Sequence, residues 1–501
     1  MKTAHFNISI HSGNHVILKI DEFSFSENKI TFLFGESGIG KSMISKTIYG
    51  LLDPEELDII VNEIPYSDYC TRPAIRQLKE NSFFVFQEPS SHLNPLLKLE
   101  DQLNEGSISE NLNEDEILRH LWQSLDEQAI QSILDIYPKP YRPSGGEKQR
   151  ILLAMAFKKI NKYISETNNG VSTFVFDEPT GSLDNRFRNL FLSLLFKKFM
   201  IQPFTVLFIT HDYSIISEIF NQYKSLVESI DFKELSRGQD QQLQVSAFSA
   251  DKYLNWLKNL KYISVNKKYE EKSAALVLHL KNDFVVFNRS YKIFNDPELQ
   301  EETELIIHPG QLVYLKAGSG VGKTTLAKII MGLIKAEKLK LKLCDMVLTE
   351  KTESSFWQKE IWGKRAGMVF QHADEALNLQ ATVRESLEGL KSDRLKGEEL
   401  FARLKELFDE SIDEKFLNQK VLFLSGGQKQ RLNLLRTLVL DVDLVILDEP
   451  LNGLDFESIQ KILNWLNAKR EQGKALLMIS HNEEIFEHLI DEGNTYYLTF
   501  S

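Results

Sequence analysis

Two octads in this chain end a glycine-rich stretch in a lysine followed by a hydroxyl: Gly35-Glu36-Ser37-Gly38-Ile39-Gly40-Lys41-Ser42 and Ala317-Gly318-Ser319-Gly320-Val321-Gly322-Lys323-Thr324. Glycines let successive backbone N–H groups turn inward, and a helix N-terminus behind them adds its positive end, so such a stretch cradles phosphate. Lys41 and Lys323 are then placed to reach phosphate oxygens, while Ser42 and Thr324 offer a hydroxyl to Mg2+. The first octad fits the G-x-x-x-x-G-K-[ST] pattern in full. The second carries Ala317 where the first glycine belongs, which is acceptable only if the backbone φ there is negative.

Acids follow downstream. "TFVFDEP" at 173 to 179 and "LVILDEP" at 444 to 450 are short apolar strands ending in paired carboxylates. Asp177 and Asp448 sit where a carboxylate holds Mg2+ through water, and Glu178 and Glu449 are placed to polarise a water attacking the terminal phosphate. Taken alone, Asp-Glu-Pro after a strand is an ordinary turn; downstream of a phosphate loop it reads as chemistry. His211 and His481 each follow a further apolar strand, 33 residues after Glu178 and 32 after Glu449. That matched distance suggests a γ-phosphate contact keeping water and glutamate aligned. "PSGGEKQR" at 143 to 150 recurs as "LSGGQKQR" 281 residues later, each a turn with free N–H groups running into a charged helix.

These motifs need elements to hold them. "KITFLFGESGIGKSMISKTIYGLL" and "QLVYLKAGSGVGKTTLAKIIMGLI" each read as strand, phosphate loop and helix. The rest follows in the same order in both halves. Lys41 to Gln87 spans 46 residues and Lys323 to Gln371 spans 48, so the chain is a duplicated α/β domain. The expected boundaries are 1–225 for the first domain, 226–275 for a partly ordered linker of balanced charge, and 276–501 for the second. From the Ser-Gly-Gly serine to the acid strand the first half takes 33 residues and the second 23. The surplus, "NKYISETNNG" at 161 to 170, reads as a surface loop.

Composition agrees with a globular protein: 501 residues, 42% hydrophobic and 26% charged. A net charge of −12 opposes long-range attraction to nucleic acid or anionic lipid. Cys70 and Cys344 are isolated, without metal-ligand spacing, and read as free thiols in a reducing cytosol. The opening "MKTAHFNISIHSGNHVI" lacks the apolar core of a secretory signal, and no stretch approaches the roughly 20 apolar residues that span a bilayer.

The series "GESGIGKS", "FQEP", "SGGEKQR", "FVFDEP", "GSLD", "THD", repeated as "AGSGVGKT", "FQHA", "LSGGQKQR", "VILDEP", "NGLD", "SHN", resembles the nucleotide-binding domain of ABC ATPases, twice. The resemblance implies two tandem P-loop NTPase domains, each a RecA-like α/β core with an antiparallel β subdomain and a helical subdomain carrying the Ser-Gly-Gly signature. It implies ATP and Mg2+ as cofactors. Gln87 and Gln371 become the Q-loop glutamines that touch Mg2+ and the attacking water and sense a partner. It also implies that the domains pair head to tail, Ser144-Gly145-Gly146 closing over the ATP on Lys323 and Ser425-Gly426-Gly427 over that on Lys41, with Asp184 and Asp455 at the same sites. Pro143 and Glu147 depart from the usual Leu and Gln of the signature. His11, Phe287 and Tyr291 are candidates to stack on adenine.

The stretch "FQEPSSHLNPLLKLEDQL" at 86 to 103 further resembles ATP-binding subunits of peptide and nickel importers, and "FQHADEALNLQATVRESL" is a looser version. That implies integral membrane permease subunits and a separate substrate-binding protein as partners, no nucleic acid, and a cytoplasmic chain peripheral on the inner face of the cell membrane. Leu93, Leu96 and Leu377 would line the groove that receives a partner helix. The alternative is a soluble tandem ABC ATPase acting on the ribosome or another machine, against which the short, near-neutral linker speaks.

Overall fold

The strand Ile30–Gly35 is buried at all six positions, the pattern of a strand covered on both faces. In the computed structural model it runs parallel to Ile230–Arg237 on one side and Val206–Ile209 on the other. Phe174–Asp177 and then Phe84–Val85 extend the parallel core. The second half repeats the arrangement with Thr495–Phe500, Leu312–Lys316, Ala475–Ile479, Leu444–Asp448 and Ala366–Val369. In both cores the phosphate-loop strand neighbours the histidine strand, which neighbours the acid strand, which neighbours the glutamine strand. All four motifs therefore emerge at the carboxyl ends of adjacent parallel strands, where open α/β sheets bind ligands.

The structure describes residues 3–104, 114–122, 127–134, 144–166, 172–180, 185–238, 242–265, 276–282, 284–318, 320–388, 390, 397–408, 412–490 and 492–500. Along the chain the first compact unit gives way to the second at Ala250. In the first, the antiparallel strands Thr3–Ser12, His15–Ser26, Asp58–Val61 and Ile64–Pro65 join the core through Leu243–Ala247 to make one ten-stranded sheet. The second keeps its antiparallel layer apart, as the four strands Leu305–Ile307, Leu278–Leu280, Lys340–Leu343 and Met346–Thr349. Aliphatic residues of the helices behind the phosphate loops, Ile44 and Ile48 in one and Leu326, Ile329 and Ile330 in the other, bury against these sheets.

Two segments carry more secondary structure than the sequence announces. Residues 226–275 are largely secondary structure: Ile230–Arg237 and Leu243–Ala247 belong to the first unit's sheet, and Ala250–Val265 is a helix of the second. Residues 266–275 lie outside the described residues. Ile230 and Leu235 are buried in the strand and the half-buried Phe232 stacks on Phe32 and Phe34, but balanced charge masks the strand in the sequence. The surplus at 161–170 is partly helix, because Gly145–Ser165 has 21 residues against 13 for Gly426–Leu438. Tyr163 stays helical by packing its ring against Phe174 and Phe204, at centroid distances of 6.2 and 6.4 Å.

Candidate functional site

Both phosphate loops run into helix N-termini, at Lys41–Tyr49 behind Gly40 and Lys323–Ile330 behind Gly322, with no acid in either first turn. Gly38, Gly40, Gly320 and Gly322 hold φ values of 80°, 119°, 77° and 104°, a region that glycine alone enters without strain. Gly35 has φ 142° and lies so close to Leu235 that a Cβ would approach its carbonyl oxygen to 2.6 Å. Ala317, at the matched position, has no positive φ, so its methyl is accommodated. Each lysine turns back into its own loop: Lys41 Nζ donates to the Gly35 carbonyl at 2.7 Å and Lys323 Nζ to that of Ala317 at 2.6 Å.

In the first unit the residues singled out by the sequence converge. Ser42 Oγ donates to Asp177 Oδ1 at 2.9 Å. Gln87 Nε2 donates to Glu178 Oε2 at 3.0 Å, and His211 Nδ1 lies 3.3 Å from Glu178 Oε1. Burial raises the Asp177 carboxyl to about 6, against the Ser42 hydrogen bond and the nearby lysines. Burial works the same way on Glu178, but the charge of the adjacent His211 and that of Lys41 outweigh it and bring the carboxyl down to about 2. For His211, burial is likewise overcome by the Glu178 carboxylate, and its proton is held more tightly than usual.

The second unit assembles the same residue types differently. Glu449 Oε2 accepts from the Ser480 hydroxyl at 3.1 Å and the His481 backbone N–H at 3.0 Å. The His481 ring is more remote, with Nε2 3.6 Å from Glu449 Oε1. Burial therefore prevails and lifts the Glu449 carboxyl to about 7, against its hydrogen bonds. Burial also raises Asp448, tempered by Thr324, Lys328 and Lys323. Both Asp448 oxygens are buried without a well-formed hydrogen bond. Gln371 begins the turn before Ala373–Ala376, where Arg436 donates to the Ala376 carbonyl at 3.0 Å.

Each catalytic-type glutamate also carries a positive φ, 47° at Glu178 and 50° at Glu449. A proline follows in both cases, which disfavours the right-handed region for the residue before it. The strained peptide is held by matched backbone bonds, Glu178 N–H to the Ile209 carbonyl at 3.0 Å and Glu449 N–H to that of Ile479 at 2.8 Å. Strain of this kind costs on the order of 1–3 kcal/mol and concentrates at functional sites.

The signature serines cap their helices. Ser144 accepts from the Glu147 N–H while its own N–H donates to Glu147 Oε2 at 2.7 Å. Ser425 and Gln428 make the same reciprocal pair at 3.1 and 2.8 Å. Carboxylate and amide serve equally as the returning acceptor of a capping box, so the Glu147 departure leaves the turn intact. Asp455 caps Phe456–Glu471, accepting from Ser458 N–H at 2.8 Å and from its hydroxyl at 2.9 Å. Asp184, Pro143 and Ser319 lie outside the described residues.

Some expectations shift. Tyr291 is buried and stacks on Phe284 at 5.2 Å, with its hydroxyl against Gly322, so it packs the loop from beneath instead of offering a face to adenine. Phe287 remains open at 64% exposure. Leu93 and Leu377 are buried, each only 5% exposed, whereas Leu96 is 72% exposed, so only Leu96 of the three faces outward. Sequence reasoning missed Ser480 as a donor to Glu449, and missed Arg188, whose guanidinium holds Asp212 at 2.6 Å next to His211. The Asp after His211, replaced by Asn482 in the second half, was the available signal for Arg188.

A family model described as "ABC transporter" matches residues 18–165 and again 301–452. The peptidoglycan transport ATP-binding protein YejF of Agrobacterium fabrum is 26% identical, the match covering 97% of this chain and 89% of that protein. The glutathione import ATP-binding protein GsiA of Escherichia coli K12 is 24% identical, over 96% of this chain and 82% of its own. Among solved structures, one titled RNase-L Inhibitor superimposes with a TM-score of 0.60 at 18% identity, covering 98% of this chain and 89% of that one. At that identity the likeness concerns the tandem fold alone.

Proposed function

The chain belongs to the ABC transporter family as a tandem ATP-binding subunit, an ATPase, and we propose that it energises an importer of the peptide, nickel or metallophore class. The permease subunits and a substrate-binding protein would be separate chains. What carries the reading is the matched pair of sites: lysine, hydroxyl, Asp-Glu and histidine at the same strand ends in both units. The names of the full-length relatives, glutathione and peptidoglycan transport, support the peptide side of the class.

In this proposal Lys41 and Lys323 hold the β- and γ-phosphates with the loop amides. Glu178 and Glu449 take a proton from the water whose oxygen forms a new bond to the γ-phosphorus as the bond to ADP breaks. His211 and His481 steady that water and its glutamate, and Gln87 and Gln371 relay the partner's state. Mg2+ fits the donors present: the Ser42 hydroxyl beside Asp177 in one unit, Thr324 and the buried, unsatisfied carboxylate of Asp448 in the other. When bound it would neutralise developing charge on the phosphate oxygens. By the family resemblance, Ser425 closes over the ATP on Lys41 and Ser144 over that on Lys323. Ser425→Arg should then abolish nucleotide trapping on Lys41; loss confined to Lys323 overturns the pairing.

No helix among the described residues is long and apolar enough to cross a membrane, so membrane association rests on the partner, for which the exposed Leu96 and Leu97 offer apolar contact. Fractionation with and without co-expressed candidate permease subunits tests the reading. Sedimentation with membranes only when those subunits are present is expected. Association with ribosomes under both conditions would refute the transporter reading.

A further inference from the structure

The chain leaves the first unit's sheet at Ala247 and is already helical at Ala250. In that helix Tyr253, Leu257 and Leu260 are buried, a spacing of four and three that forms one stripe. Beneath the stripe lies nucleotide machinery of the second unit. Phe456 opens the helix that Asp455 caps. The Trp256 ring meets Phe456 edge-on, with centroids 5.0 Å apart and planes at 87°, and Tyr253 meets it at 5.7 Å and 60°. The Lys252 ammonium stands 5.8 Å from the same ring centroid. The Tyr253 hydroxyl, at the far end of the same side chain, donates to Glu484 Oε2 at 3.0 Å. Glu484 lies in the first turn of Glu483–Leu489, three residues after His481.

One buried tyrosine thus contacts both segments that present Asp455 and His481. Asp455 is tied further inward, since the Ser458 hydroxyl it receives also accepts from Arg431 of the signature helix at 3.3 Å. The first half has no matching arrangement of residue types. Asn185 follows Asp184 where Phe456 follows Asp455, and Ser214 stands three residues after His211 where Glu484 follows His481. Ser214 is engaged instead by Arg188 and Asp212.

We propose that Tyr253 and Trp256, on the helix that begins the second unit, are positioning residues for its hydrolytic site, fixing the backbone that presents Asp455 and His481. The assignment rests on the reading of those two residues as parts of an ATP site. Tyr253 acts through Glu484 and Phe456, and Trp256 through Phe456 alone, so neither touches nucleotide.

The test uses the full chain with Tyr253→Phe, which removes one hydrogen bond and no volume, and Trp256→Ala. Hydrogen exchange is followed at 452–459 and 481–486, with 212–218 of the first unit as the matched control, and steady-state ATP hydrolysis is measured alongside. Losing a hydrogen bond to a carboxylate should speed exchange at 481–486 about tenfold in Tyr253→Phe. Trp256→Ala should do so chiefly at 452–459, with 212–218 unchanged in both. kcat should fall about threefold or more while KM for ATP stays within about twofold. Unchanged exchange at both segments, a rise shared by 212–218, or faster exchange with unaltered kcat would each overturn the proposal. A parent chain that hydrolyses no ATP would overturn the reading of the site instead, and exchange would still decide the contact.

Discussion

Replacing each catalytic-type glutamate by its isosteric amide should change stability in opposite directions. Glu449 is buried and its carboxyl is lifted from the ordinary 4.5 to about 7 by desolvation. Between those values the folded chain holds a proton that the unfolded chain has released. The stability this proton supplies is complete below pH 4.5 and is lost as pH rises through 7. Each tenfold change in proton affinity is worth about 1.4 kcal/mol, so at pH 8 the ionised side chain costs the fold roughly 3 kcal/mol, which Glu449→Gln relieves. Glu178 is lowered to about 2, against its own burial, by the charge of the adjacent His211. Its contribution is present above 4.5 and lost as pH falls through 2, so Glu178→Gln removes roughly 3 kcal/mol at pH 8. For units of about 250 residues, 1 kcal/mol moves Tm by roughly 2–4 °C. Thermal unfolding in chelator, without nucleotide, should show Glu449→Gln higher than the parent by about 6–12 °C at pH 8 and near it at pH 4.5. Glu178→Gln should melt lower at pH 8 by a similar amount. Two variants that shift Tm in the same direction at pH 8 would refute the account of how His211 and burial divide the two sites.

The Q-loop leucines separate by burial. Leu93→Ala and Leu377→Ala should lose roughly 2–5 kcal/mol of stability as cavities open, seen as a lower denaturant midpoint. Leu96→Asp should leave that midpoint within about 0.5 kcal/mol and weaken association with the permease, measured by co-purification.

Much of the candidate site's layout was legible because phosphate chemistry constrains residue type and spacing together. The strand, loop and helix around Lys41 and Lys323, and the acid strands ending in Asp177 and Asp448, stand where their apolar runs place them. Other features were hidden because tertiary partners decide them. Leu243–Ala247 becomes a strand by pairing with Ile230–Arg237 and with Ile20, neither of which its own polar residues announce. Tyr291 and Phe287 are both aromatic, and only packing against Phe284 and Gly322 tells them apart. The two Asp-Glu-Pro motifs are identical in sequence. Their glutamates nonetheless differ, because Gln87 and His211 reach Glu178 while Ser480 and the His481 N–H reach Glu449.

Steady-state Mg2+-dependent ATP hydrolysis by the Glu178→Gln/Glu449→Gln double variant tests the central claim most directly. An amide keeps the pocket's shape but cannot take the proton of the attacking water, so ATP should bind with parental affinity while hydrolysis becomes nearly undetectable. Hydrolysis at the parent rate would contradict the assignment of both glutamates.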